Sequence, residues 1–231
     1  MSDHPAPIVF ESGILEPGIE KTGKQPRHSI IWLHGLGADG QDFVPLAHEL
    51  KLPVAVRYIF PHAPLRPVTL NGGTVMRAWY DITHTSREVQ QDAAGIRASQ
   101  AAIETLIAQE VARGIKPGNI FLAGFSQGGA IALHTALRQN VPLGGALALS
   151  TYLPLANTLP NEMQPASKAT PIFIAHGRND PVIPYSAGVT TKNTLQELGY
   201  AVTWHEYAMA HSVCEPELRD IEDWLTRQIG G

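Results

Sequence analysis

Apolar residues along this chain gather into short unbroken runs rather than strict alternation. Ser29 to Leu33, Val54 to Phe60, Asn119 to Ala123, Gly145 to Leu149, Pro171 to Ala175 and Ala201 to Tyr207 each read as a strand. Runs that are apolar throughout suit strands buried on both faces, as in a parallel sheet. Helical stretches fall between them: Asp42 to Leu50, Glu88 to Arg113, Ala130 to Arg138, Tyr185 to Leu198 and Pro216 to Ile229. Gly114 and Gly199 stand where two of these helices should stop. Ile8-Val9-Phe10 with Ile14-Leu15 reads as a short edge hairpin. Pro61 to Tyr80 and Tyr152 to Thr170 carry no clear period and are expected to be irregular. Strands alternating with helices imply crossover connections, hence an α/β architecture with a mostly parallel central sheet and helices on both faces. No repeat or linker divides the chain, so residues 1–231 are expected to form one domain.

Open sheets of this kind bind ligands beyond the carboxyl ends of their strands, and those loops carry the candidate chemistry. After Asn119–Ala123 comes Gly124-Phe125-Ser126-Gln127-Gly128, followed at once by a helix. This is the G-x-S-x-G elbow, in which flanking glycines permit a sharp turn that presents a serine hydroxyl. After Ala175 lies Asp180, and after Tyr207 lies His211. A serine hydroxyl is a weak nucleophile and needs an imidazole to take its proton. A carboxylate then orients that imidazole and stabilises its charged form. Each of the three alone is ordinary, a helix cap, an Asp-Pro turn or a loop histidine. Together, in the chain order Ser126, Asp180, His211 and each past a strand end, they point to nucleophilic acyl transfer.

The loop after Leu33 offers a rival reading. Gly35-x-Gly37-x-x-Gly40 between a strand and a helix is formally the dinucleotide fingerprint. That use requires an acidic residue near the end of the second strand, and Lys51 to Tyr80 contains neither Asp nor Glu. The loop better serves as a donor of one oxyanion-binding amide, from Leu36, with the second from Gln127 after the serine. Metal binding is likewise unsupported by spacing: the 10 histidines form no H-x-x-H or H-E-x-x-H, and the one cysteine, Cys214, no C-x-x-C. His34 and His176 are read as loop-bracing groups, and Cys214 as a packing residue at a helix start. Neither a cofactor nor a metal is expected.

Composition narrows the setting. A charge of −4 leaves no basic footprint for nucleic acid. The amino end lacks the charged and apolar regions of a signal peptide, and no run approaches the ~18 apolar residues of a membrane span. A cytoplasmic protein without stable membrane insertion is expected. The apolar residues of the two irregular stretches, Leu65, Val68, Leu70, Val75, Met76, Trp79 and Leu153, are read as walls of an acyl groove.

The combination of His34-Gly-Leu-Gly-Ala-Asp-Gly, Pro61-His-Ala-Pro-Leu-Arg-Pro-Val-Thr, Trp79-Tyr-Asp-Ile, Gly124-Phe-Ser-Gln-Gly-Gly, Asp180-Pro-Val-Ile-Pro and Met209-Ala-His-Ser-Val resembles the phospholipase/carboxylesterase family, which includes acyl-protein thioesterases and small bacterial carboxylesterases. The resemblance runs from about Ile30 to Trp224. It implies an α/β-hydrolase fold without a large cap domain, acting without a cofactor on small-molecule acyl esters or thioesters, and read first as a serine carboxylesterase. The alternative within the family is a thioesterase or lysophospholipase for longer chains. It assigns nucleophile, acid and base to Ser126, Asp180 and His211, and the oxyanion amides to Leu36 and Gln127. Family members that dimerise near the groove leave a homodimer open. Met76-Arg77-Ala78-Trp79 stands where many members have Met-Pro-Ser-Trp, so the groove lip is where this chain departs from the pattern.

Overall fold

A computed structural model describes residues 5–12, 26–84 and 89–230. Strand β1 (Ile8–Glu11) is followed by β2 (His28–Leu33), helix α1 (Val44–Glu49), β3 (Val56–Phe60), the strands β4 (Leu65–Val68) and β5 (Thr74–Arg77), then β6 (Ile82–His84) and β7 (Val89–Gln91). Next come α2 (Ala93–Ala112), β8 (Ile120–Phe125), α3 (Gln127–Ala136), β9 (Gly145–Leu149), α4 (Leu159–Glu162), β10 (Ile172–Gly177), α5 (Tyr185–Glu197), β11 (Val202–Tyr207) and α6 (Glu215–Ile229).

The main sheet has the order β1-β3-β2-β8-β9-β10-β11. Every pairing in it is parallel except β1 against β3, which leaves an antiparallel edge. The apolar runs explain the layering. Along β2, Ile31 and Leu33 face a core shared with Ile96, Ile103 and Ile107 of α2 and Ile131 of α3. Ile30 and Trp32 face the opposite core, with Ala47 of α1 and Ile221, Trp224 and Leu225 of α6. The last three, spaced i, i+3 and i+4, dock α6 through one stripe, each burial contributing roughly 1.5–3 kcal/mol.

The strand order places the site. From β2 the chain steps outward to β3, then crosses back to β8 on the other side of β2, so the direction of winding switches between β2 and β8. Leu33 lies opposite Gly124 at the ends of these strands. The Gly-rich loop and the Ser126 turn therefore leave side by side, the position where open α/β sheets bind ligands.

Several sequence expectations shift. Pro61 to Tyr80 is not irregular throughout: β4 and β5 pair as a hairpin, turned at Gly72 and Gly73, both with positive φ. The long helix starts at Ala93 rather than Glu88, because Asp92 caps it by accepting from the Gly95 amide at 2.8 Å, and β7 occupies the preceding residues. Ile8 to Phe10 does form an edge strand, paired with β3. Ile14 and Leu15 lie outside the described residues. Among the described residues no helix is long and apolar enough to cross a membrane.

Two predictions follow from this packing. A Cβ at Gly128 would sit 2.4 Å from the Leu33 carbonyl oxygen and 2.5 Å from that of His34. Gly128→Ala is expected to cost at least ~2 kcal/mol in urea unfolding, whereas Gly118→Ala, where nothing lies within 4 Å, leaves the midpoint unchanged or slightly raised. The second concerns Glu217, fully buried in the first turn of α6, where burial pushes its carboxyl up to about 8 against a weaker opposing pull from the Cys214 amide. A carboxyl raised in the folded state holds its proton after the unfolded chain has lost its own. The contribution of this carboxyl to stability is then greatest below pH about 4.5 and declines as pH rises towards 8. Glu217→Gln should remove that slope, making the variant more stable than the parent at pH 8 to 9 with the gap closing near pH 4. A wild-type and variant pair with parallel denaturation profiles across this range would contradict it.

Candidate active site

The turn after β8 is held by sterics and by hydrogen bonds. Ser126 has φ 53° and ψ −122°, a conformation L-residues rarely adopt, of the kind that costs on the order of 1–3 kcal/mol. Its amide donates to Leu149 O at 2.8 Å, and its carbonyl accepts from the Ala130 amide at 3.1 Å and from Thr151 Oγ1 at 2.6 Å. Close backbone contact explains the glycines. A Cβ on Gly124 would fall 2.4 Å from the Gly128 carbonyl. The start of α3 is thereby pressed against the ends of β2 and β8, with Gln127 at its first position. Amides there have no partner within the helix and sit at its positive end.

Asp180 and His211 come from the neighbouring ends of β10 and β11, where Gly177 lies opposite Tyr207. Two backbone bonds lace their loops together, Arg178 N to Tyr207 O at 2.8 Å and Asn179 N to Met209 O at 3.1 Å. The Asp180 carboxylate, fully buried, divides its oxygens. Oδ1 accepts the amides of Val182 and Ile183 at 2.8 and 2.9 Å, and Oδ2 faces His211 Nδ1 at 2.7 Å. An ionised carboxylate only accepts, so Nδ1 carries the proton and Nε2 is the free basic nitrogen. His176 holds the underside of this loop, Nε2 to Ile183 O at 2.9 Å, the bracing role expected of it.

The structure closes the Asp180–His211 half of the relay and not the Ser126 half. His211 bonds to Asp180 and meets the elbow through Phe125, whose ring centroid lies 4.6 Å from the imidazole. Serine–histidine contacts of this kind commonly tighten only when substrate is bound.

Leu36 lies in the loop braced by His34. Nδ1 of His34 bonds to Gly35 O at 2.7 Å, and Nε2 accepts the Ala63 amide at 3.0 Å. That pattern requires the neutral ring, and burial pushes the His34 pKa down in agreement. The next residue, Gly37, donates its amide to Arg77 O at 2.9 Å. The Leu36 amide itself has no acceptor among the described residues. Arg77 also reaches Ala63 O through Nη1 at 2.9 Å, so the departure at the groove lip ties β5 to the segment before β4.

The expected groove residues separate. Leu65 and Met76 line an open cleft of about 310 Å³ with Gly37, Asp39 and Arg77. Leu153 lines a second, more apolar cavity of about 270 Å³ with Tyr152, Pro184, Ala187 and Thr191. Val68 and Trp79 line neither, being buried, because β4 and the chain after β5 turn them into the protein. Leu70 and Val75 stand exposed on the hairpin. Cys214 precedes α6 without capping it through its side chain. Among the described residues no group of three His, Cys, Asp or Glu side chains could hold a metal ion. Not foreseen from the sequence were the anchoring amides of Val182 and Ile183, Thr151 beneath the elbow, and the Gln127 carboxamide. The Pro after Asp180 was the available signal for the first, since Asp-Pro commonly opens a turn in which the carboxylate caps following amides.

Known proteins resemble this chain over most of its length. A family model described as phospholipase/carboxylesterase matches residues 15–229. The chain is 40% identical over 217 residues to acyl-protein thioesterase 1 of Neurospora crassa, covering 88% of each chain. It is 34% identical over 210 residues to carboxylesterase SOBER1 of Arabidopsis thaliana, covering 89% of this chain and 92% of that one. The crystal structure of Arabidopsis SOBER1 superposes with a TM-score of 0.83 over 87% of this chain and 99% of that one, at 33% identity. Zea mays acyl-protein thioesterase 2 gives 0.81 over 96% and 99%, at 29%. These neighbours share the α/β-hydrolase fold. The match takes in every strand of the main sheet except its antiparallel edge, together with all the loops that carry Ser126, Asp180, His211 and Leu36, and the chain belongs to the phospholipase/carboxylesterase family.

Proposed function

We propose that this protein is a serine carboxylesterase that hydrolyses acyl esters through an acyl-enzyme, with Ser126 as nucleophile, His211 as base and Asp180 as its orienting acid. The observation that carries the reading is the Asp180–His211 hydrogen bond of 2.7 Å, set beside a strained, glycine-packed serine turn.

The chemistry follows from the geometry. His211 Nε2 takes the Ser126 proton as Oγ attacks the acyl carbon, and the Asp180 carboxylate steadies the resulting imidazolium. The carbonyl oxygen gains the negative charge and is met by the amides of Leu36 and Gln127. A donor of this kind is worth roughly 2.7–4 kcal/mol in the transition state. The tetrahedral species collapses, His211 Nε2 gives its proton to the departing alkoxide or thiolate, and the acyl group stays on Ser126. Water, deprotonated by the same imidazole, then releases the carboxylic acid and restores the serine.

The second reading, a thioesterase or lysophospholipase for longer chains, draws on the thioesterase names of the fungal and maize relatives. In either case the substrate is a small acyl ester or thioester. Its acyl chain is best accommodated by the apolar cavity at Tyr152 and Leu153, where each buried methylene adds about 0.8 kcal/mol. Leu65 and Met76 then border the other arm of the substrate.

A fluorophosphonate probe read by intact mass should add one adduct to the protein and none to Ser126→Ala. A parent that stays unlabelled while a control hydrolase labels would sink the enzyme reading. Asp180→Asn, which offers His211 a donor in place of an acceptor, should lower kcat by about 10⁴-fold while the fold survives. Esters from two to sixteen carbons, with one thioester, separate the two substrate readings. kcat/KM peaking at short to medium oxygen esters supports the carboxylesterase, and a peak at long chains or the thioester supports the alternative.

A further inference from the structure

The oxyanion amides assigned to Leu36 and Gln127 follow different strands, β2 and β8, which pairing and the Gly128 contact bring side by side without any hydrogen bond between the two residues themselves. The chain after β5 reaches both. Oε1 of Gln127 accepts the Trp79 amide at 2.8 Å, and Nε2 donates to Tyr80 O at 2.7 Å. Both acceptor and donor of the carboxamide are thus used on consecutive residues of one segment. The Trp79 indole Nε1 then donates to His34 O at 2.9 Å, two residues before Leu36. The segment is fixed from behind, where Ser99 Oγ of α2 donates to Trp79 O, and Trp79 is 1% exposed. Past Leu36, the Gly37 amide is held by Arg77 O. Residues 77 to 80 therefore grip the Leu36 turn at His34 and Gly37 and grip the elbow at Gln127.

We propose that the Gln127 carboxamide and the Trp79 indole are positioning residues that register the two oxyanion amides against each other through residues 77–80. Neither group touches the reacting atoms. The Gln127 side chain acts on the residue whose own amide is one donor, and Trp79 acts through His34 on the loop that offers the other. Reorientation of a donor by a fraction of an ångström matters because such donors are preorganised for the developing oxyanion and not for the planar carbonyl. A loosened clamp should therefore lower kcat and leave substrate binding alone. This inference rests on the assignment of Ser126, Leu36 and Gln127 made above.

Trp79→Phe removes the indole N–H and keeps an aromatic ring in the core, and Gln127→Met keeps the side-chain length and removes both hydrogen bonds. Each variant is titrated with fluorophosphonate, so that rates refer to folded, labelled sites. Expected is a roughly 10- to 100-fold drop in kcat, with KM within about twofold of the parent. A trifluoromethyl ketone, which forms the tetrahedral oxyanion on the serine, should weaken by the same factor. The acid limb of the pH–rate profile should stay where it is, because the His211–Asp180 pair is untouched. A melting temperature that falls while kcat per labelled site holds would show that residues 77–80 only support the fold, and would overturn the proposal. Equal losses in KM and ketone affinity, marking displacement of the whole substrate, would overturn it too. Should Gln127→Met fail to fold, Trp79→Phe decides alone. Failure of the parent to label at Ser126 would instead remove the assignment beneath the inference, an outcome separable from unchanged kinetics in a labelled variant.

Discussion

The structure turns on a steric constraint: at the end of β8 the backbone of α3 lies so close to β2 and β8 that a single Cβ cannot be accommodated. Gly124 meets Gly128, and Gly128 meets the carbonyls of Leu33 and His34, at distances no side chain tolerates. Because α3 cannot retreat, the connection between strand and helix must reverse within one residue, and Ser126 takes the strained conformation that results. The same closeness brings the first amide of α3 to the end of β2, beside the loop that carries Leu36. The Ser126 turn, the start of α3 and its approach to the Leu36 loop are consequences of one close packing. That packing persists because α3 is buried along its whole length and surrounded by core.

The loops of Asp180 and His211 are crowded too, since a Cβ on Gly177 would fall 2.5 Å from the carbonyl oxygens of both Met209 and Ala210. Hydrogen bonds then complete the positioning. One carboxylate oxygen is satisfied by two backbone amides, so only the other remains to orient the imidazole. His176 supports the far end of the loop at Ile183. Both halves of the site thus combine close backbone packing with satisfied hydrogen bonds. They meet where the Phe125 and His211 rings touch.

Much of this was legible in the sequence because each signal had a local cause. Unbroken apolar runs such as Ile30 to Leu33 report burial on both faces, and the observed strands follow them closely. The elbow pattern is local as well, because glycine is demanded within four residues of the serine. What escaped was information carried by pairing across distance. The β4–β5 hairpin lacks a strong alternating pattern, and Pro67 within β4 is a residue most strands exclude. Yet an edge ribbon tolerates proline where no ladder donor is needed. Trp79 and Val68 looked like groove walls because an apolar residue in an unassigned loop has two destinations, solvent-lined or buried, and composition does not distinguish them. The indole of Trp79 is buried for a reason visible only in three dimensions, the carbonyl of His34 that waits for its N–H. Arg77 is similar, its purpose depending on the Ala63 carbonyl fourteen residues earlier.

The catalytic geometry does not by itself choose between an oxygen ester and a thioester. In the proposed mechanism both pass through the same tetrahedral oxyanion on Ser126, and both leaving groups receive a proton from the same imidazole. Discrimination has to arise where ground state and transition state differ, in the walls that hold the two arms of the substrate. Those walls are unequal. The cavity at Tyr152, Leu153 and Ala187 is mostly apolar, while the cleft beside Gly37 carries Asp39, Asp42 and Arg77. An arm entering that cleft must replace water on fixed charges, so a bare alkyl group gains little there and a polar one gains more. On the proposed assignment, substrate choice depends on how the two arms divide between a greasy wall and a charged one, and the proposed triad is indifferent to the outcome.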